Sequence, residues 1–81
     1  MKVNVRLFAM CREIVGRGQV ELSIPDGSTA LEVLELLQKT YSGLPDKTSM
    51  LIAINSEYID PNTSLNNNDE VAFIPPVSGG S

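Results

Sequence analysis

Histidine and tryptophan are absent from this 81-residue sequence, cysteine occurs once, and the only aromatic residues are two tyrosines and two phenylalanines. Without histidine there can be no serine–histidine or cysteine–histidine nucleophile and no histidine-ligated metal, which removes most hydrolase mechanisms. The lone Cys11 cannot form an internal disulfide, so a small core must be held by packing alone, as suits a reducing compartment. No apolar run approaches the roughly 20 residues of a membrane helix. The N-terminus alternates where a signal peptide would be continuously apolar, so a cytoplasmic protein is expected. Basic residues are few: six Lys and Arg against ten Asp and Glu, for a net charge of −4. With no basic run to neutralise phosphates, nucleic acid is not an expected partner, and an acidic surface more naturally meets a basic protein patch.

What the sequence does contain reads as a single small domain. Val3, Val5, Leu7 and Ala9 alternate with Lys2, Asn4 and Arg6, the period of a half-buried strand. Cys11 to Val15 reads as a short helical turn or loop. Gly16 and Gly18 then punctuate the chain, and Val20, Leu22 and Ile24 alternate as a second strand. Pro25-Asp26-Gly27 has turn chemistry, and Thr29 with Glu32 fits a capping box, Ser28 being an alternative cap. Ala30, Val33, Leu34, Leu37 and Tyr41 form the apolar stripe of a helix, with Glu32, Glu35, Gln38 and Lys39 towards solvent. Met50 to Ile54 is a compact apolar run, expected as a strand. Asn55-Ser56-Glu57 turns the chain into the short segment Tyr58-Ile59. The cluster Asn66-Asn67-Asn68-Asp69 marks a tight turn, and Glu70 to Ile74 is the last strand, with Val71 and Phe73 on one face.

The expected order is β-β-α-β-β-β: an α+β fold in which one main helix covers a mixed sheet, with the first and last strands side by side in the middle. This is the β-grasp outline. Residues 1–74 form the domain, and 75–81 an extended flexible tail.

Little in the domain suggests chemistry. Cys11 has no evident base and reads as a small buried hydrophobe. Glu32 with Glu35, and Asp69-Glu70, read as solvated surface rather than a metal site. Gly16-x-Gly18 reads as a turn rather than a phosphate loop. The tail is different. Pro75 and Pro76 remove two backbone donors and keep the chain extended. Five extended residues from Pro76 to Gly80 span at most about 16–18 Å, enough to reach a partner's pocket. Gly79 and Gly80, lacking a β-carbon, allow walls to close on their backbone. Composition alone also permits a frayed polar end.

Taken together, Arg12-Glu13-Ile14-Val15-Gly16 after a strand, the helix stripe, Ile54-Asn55, Leu65-x-x-x-Asp69-Glu70-Val71-Ala72-Phe73 and Pro75-Pro76-Val77-Ser78-Gly79-Gly80 closely resemble the small, sulfur-carrying subunit of molybdopterin synthase, a ubiquitin-like β-grasp family. The resemblance spans essentially the whole chain and is most specific from Asp69 to Gly80. It implies that the Gly80 carboxylate is adenylated by a ubiquitin-activating-type enzyme that uses ATP, and is then converted to a thiocarboxylate. It further implies that the tail enters the large catalytic subunit of a heterotetramer, where sulfur passes to the cyclic pyranopterin monophosphate precursor. Gly79, Ser78 and Val77 would be the inserted stem; Phe73, Pro75, Pro76 and Arg12 would contact the partner, with a role in core stability as the alternative for Phe73, since aromatic burial is large on its own. The small subunit would have no catalytic acid or base, no metal and no stably bound cofactor.

Such chains end at the second glycine, whereas Ser81 follows here. With Ser81 attached, the Gly80 carbonyl belongs to a peptide bond, which cannot be adenylated. Proteolytic removal, a residue added for expression, and a natural terminus that alters the chemistry are the readings left open. Other functions compatible with the diglycine are sulfur delivery for thiamine or tRNA thiolation, modification of lysine amines on proteins, and a plain interaction module.

Overall fold

In the computed structural model, which describes residues 1–75, β1 (Lys2–Leu7) leads into α1 (Ala9–Val15) and β2 (Gln19–Ser23). Then come α2 (Ala30–Thr40), a 3-10 turn (Lys47–Ser49), β3 (Leu51–Ile54), β4 (Glu57–Tyr58) and β5 (Glu70–Ile74). The five strands form one mixed sheet in the order β2-β1-β5-β3-β4. β1 and β5 run parallel at its centre, and every other pairing is antiparallel. This is the expected β-grasp architecture.

Alternation decides which side of the sheet is covered. Val3, Val5 and Leu7 of β1, Ile52 of β3 and Val71 and Phe73 of β5 are buried in one cluster with Ala30, Val33, Leu34 and Leu37 of α2. The stripe read from the sequence is therefore the inner face of α2. Thr29 caps this helix: its hydroxyl accepts the Glu32 N–H at 3.2 Å, while the Glu32 carboxylate accepts the Thr29 N–H at 2.8 Å. The cap is thus Thr29, and Ser28 instead donates its hydroxyl to the Pro25 carbonyl at 2.7 Å.

The sheet differs from expectation at its first turn. β1 stops at Leu7, and Ala9 is not on the inner face: it is exposed, at φ +49°, where α1 begins. Cys11 to Val15 is part of a seven-residue helix, because Cys11 and Val15, one turn apart, both bury against the core. Gly16 ends it at φ +86° and donates its N–H to the Arg12 carbonyl at 2.8 Å, a left-handed C-cap that glycine adopts without strain.

Two turns fix the entry to β5. Asn55 and Ser56, both at positive φ, connect β3 to β4 in the manner of a tight hairpin. Asn55 donates its side-chain amide to Asp69 Oδ1 at 3.0 Å and accepts the Glu70 N–H through Oδ1, also at 3.0 Å. Asp69 accepts the Asn66 N–H at 2.7 Å, and the Asn68 N–H reaches the Lys2 carbonyl at 2.7 Å. The asparagine cluster therefore locks the start of β5 to both of its neighbours.

Candidate functional site

The place where the chain leaves the sheet follows from strand direction. β5 is parallel to β1, with Leu7 beside Phe73, so its C-terminal end lies next to Phe8 and the start of α1. It is antiparallel to β3, with Leu51 opposite Ile74, so the start of β3 stands on its other side. Pro75, itself buried, ends the strand by lacking the N–H that a further ladder bond would need. Pro76, Val77, Ser78, Gly79, Gly80 and Ser81 lie outside the described residues.

Of the expected contact residues within the described part, Arg12 is exposed on α1. Its side chain lies over Gly18, where an added β-carbon would meet Arg12 Nε at 3.6 Å. For Phe73 the structure agrees with the stability alternative. It is 1% exposed and among the largest fully buried side chains, so its ring is a core element. Burial of such a ring contributes about 1.5–3 kcal/mol. The β5 side chains open to a partner are those of opposite parity, Glu70 and the apolar Ala72 and Ile74, all half-buried.

Those three belong to the sheet face that α2 leaves uncovered, which the sequence reading did not single out. Arg6 stands beside Ala72, Ala72 opposite Ala53, and Ala53 opposite Tyr58, so these four residues form one row across four strands. The two alanines make the floor of a trough of about 190 Å³. Arg6 and Phe8 wall it on one side and Tyr58 on the other, with Ile74 at the end where the chain exits. Phe8, Leu51 and Tyr58 are exposed large apolar residues, Tyr58 the most at 70%. Contiguous apolar surface of this kind marks interaction sites. Its signal in the sequence is parity: Phe8 interrupts the polar series Lys2, Asn4, Arg6, and Ile74 falls opposite the buried Phe73.

The charge pair that borders the trough is loose. Arg6 Nη1 lies 3.9 Å from Glu70 Oε1, beyond hydrogen-bond distance, and its guanidinium sits 5.4 Å from the Phe8 ring centre, within cation–π range.

No other chemistry gathers among the described residues. Cys11 is fully buried, its thiol donates to Met50 Sδ at 3.5 Å, and burial pushes its pKa up, so it stays protonated and inert. No group of three or more His, Cys, Asp or Glu could hold a metal among these residues. Glu32 is committed to the cap of α2. No helix among them is long and apolar enough to cross a membrane.

Comparison with known proteins places relatives beside this geometry. A family model described as the ThiS family matches residues 5–80. The molybdopterin synthase sulfur carrier subunit of Dictyostelium discoideum is 38% identical over 81 residues, covering 95% of this chain and 94% of that protein. Among solved structures, one chain of the complex of subunits 1 and 2 of molybdopterin-converting factor from Helicobacter pylori superposes with a TM-score of 0.65 at 28% identity. The match covers 99% of this chain and all of that one. The small archaeal modifier protein 1 of Methanosarcina acetivorans superposes with a TM-score of 0.78 at 32% identity, over 98% of this chain and 96% of that one.

Proposed function

The chain belongs to the ThiS family, and from that footing we propose that it is the sulfur-carrying small subunit of a molybdopterin synthase. The observation that carries this reading is the near-full-length similarity to proteins named as that subunit, combined with a sheet whose central strand runs out beside an uncovered apolar face. The domain docks by that face and delivers the tail; the larger subunit supplies the catalytic groups.

The reacting carbon is that of Gly80. A free carboxylate is a poor electrophile. A ubiquitin-activating-type enzyme attaches AMP from ATP to it, releasing pyrophosphate, and a sulfur nucleophile then displaces AMP to leave a thiocarboxylate. In the larger subunit that sulfur passes to the cyclic pyranopterin monophosphate precursor, and the carboxylate is regenerated. Gly79, Ser78 and Val77 form the threaded stem, with Pro75, Pro76 and Arg12 at its root. The working carrier ends at Gly80, because a Gly80–Ser81 peptide bond offers no carboxylate to adenylate at that carbon.

Reconstitution tests the reading. Purified chain ending at Gly80, its activating enzyme, ATP, a sulfide source, the larger subunit and precursor should together yield the dithiolene product, and deletion of Gly79 and Gly80 should abolish it. Product formation by the deletion variant would overturn the assignment. A second reading, protein modification through Gly80, is favoured by the similarity to an archaeal modifier. Lysine conjugates accumulating in cells that lack any defect in molybdenum cofactor would support it over sulfur carriage.

A further inference from the structure

The uncovered face is not a uniform apolar surface, and its relief restricts what can cover it. Ala72 and Ala53 are its low points, side by side at the middle of the sheet, with Arg6 and Tyr58 rising at either end of the same row. Ser56 and Glu70 also line the trough, beside the apolar Phe8, Tyr58 and Ile74; a flat partner would leave it empty, and an unfilled hollow forfeits dispersion contacts. Arg6 adds a polar demand. Its side chain is 48% exposed, and Glu70 at 3.9 Å is too far to accept a hydrogen bond, so the five guanidinium donors are served by water in the free protein. A partner that covers the trough removes that water, and buried donors must then find acceptors.

Resting on the carrier reading above, we infer that the trough receives one bulky apolar side chain from the larger subunit, flanked on the Arg6 side by a hydrogen-bond acceptor of that subunit. The larger subunit is the occupant because β5, which forms the floor through Ala72, is the strand that continues into the tail. Whatever admits the residues after Pro75 therefore stands next to Ile74, which lines the end of this trough. The pairing of one knob with one acceptor fixes how the domain sits, and hence where Gly80 arrives. It also discriminates: an interface lacking either group meets an empty hollow or an unpaired cation.

The test is the affinity of the chain ending at Gly80 for the purified larger subunit, by calorimetry. Ala72→Leu fills the floor and should weaken binding at least about tenfold, while Leu36→Ala, an exposed position on α2 away from the face, should leave it unchanged. Tyr58→Ala removes a wall at an exposed hairpin position and should weaken binding similarly; it decides the matter if Ala72→Leu proves unfolded by circular dichroism. Arg6→Met, compared within a Glu70→Gln background so that no carboxylate is stranded, should also weaken binding. If that change is neutral or tightening, no acceptor faces Arg6. Full affinity in folded Ala72→Leu or in Tyr58→Ala would overturn the knob. A carrier self-dimer that Ala72→Leu dissolves would overturn it too, by placing a second copy in the trough. Failure of the unaltered chain to bind the larger subunit would instead sink the carrier reading itself.

Discussion

Ile74 and Leu51 face each other across the central ladder of the sheet, on the side away from α2, one residue before Pro75 ends the strand. Next to Ile74 in sequence, Phe73 points the other way and is 1% exposed. The last two strand residues therefore divide the work: Phe73 holds the exit strand to the core, and Ile74 presents apolar surface at the root of the tail.

That division predicts opposite phenotypes for neighbouring substitutions. Phe73→Ala should cost about 3–5 kcal/mol of stability, by loss of a large side chain from a packed core. Ile74→Ala should cost much less stability but reduce affinity for the larger subunit. Urea denaturation and calorimetry on the same pair of variants separate the two; equal losses of stability would contradict the division.

Leu51→Ala should act with Ile74→Ala. The two side chains are directly opposite on one face, so the double variant's loss of binding should differ from the sum of the single losses. Strict additivity in a double-mutant cycle would mean that only one of them touches the partner.

Thr29→Ala removes one half of the capping box at the start of α2 and should destabilise the domain by about 1 kcal/mol. Affinity for the larger subunit should not change, because the cap lies on the helix that covers the opposite face. Thermal unfolding beside calorimetry checks both halves.

Cys11 gives a pH dependence. Its thiol pKa is raised by burial, so the unfolded chain ionises first as pH climbs past the ordinary thiol value of about 8.5. Above that point the unfolded state binds fewer protons than the folded one, and stability falls with rising pH until the folded thiol also titrates. Cys11→Ala should lack this component. Denaturation midpoints from pH 7 to 10 should decline more steeply for the unaltered protein, and parallel declines would contradict an inert, buried thiol.

Much of this architecture is written in local pattern. The strict alternation of Val3, Val5 and Leu7, the stripe on α2 and the Thr29–Glu32 box each stand at the period of the element they form, because burial imposes it. The helix α1 is harder to read: only Cys11 and Val15 bury, too few to show a period. Its start at Ala9 needs a positive φ that composition does not announce. The open face was hidden for a different reason. Arg6, Ala72, Ala53 and Tyr58 are far apart in the chain, and only register brings them into one row. The role proposed for Gly80 rests on resemblance rather than pattern: the lack of histidine and the single buried cysteine remove other candidates, but a diglycine by composition also fits a frayed end.

The most direct test is to prepare the chain ending at Gly80 with its carboxylate converted to a thiocarboxylate, mix it once with the larger subunit and precursor, and follow the intact mass of the small chain. The account predicts that the carrier returns to the carboxylate form as dithiolene appears, one sulfur given up per chain. A chain retaining Ser81, with Gly80 locked in a peptide bond, should take up no sulfur at Gly80 when offered the activating enzyme. Full sulfur transfer by the Ser81-bearing chain, with that peptide bond intact, would contradict the central role of Gly80.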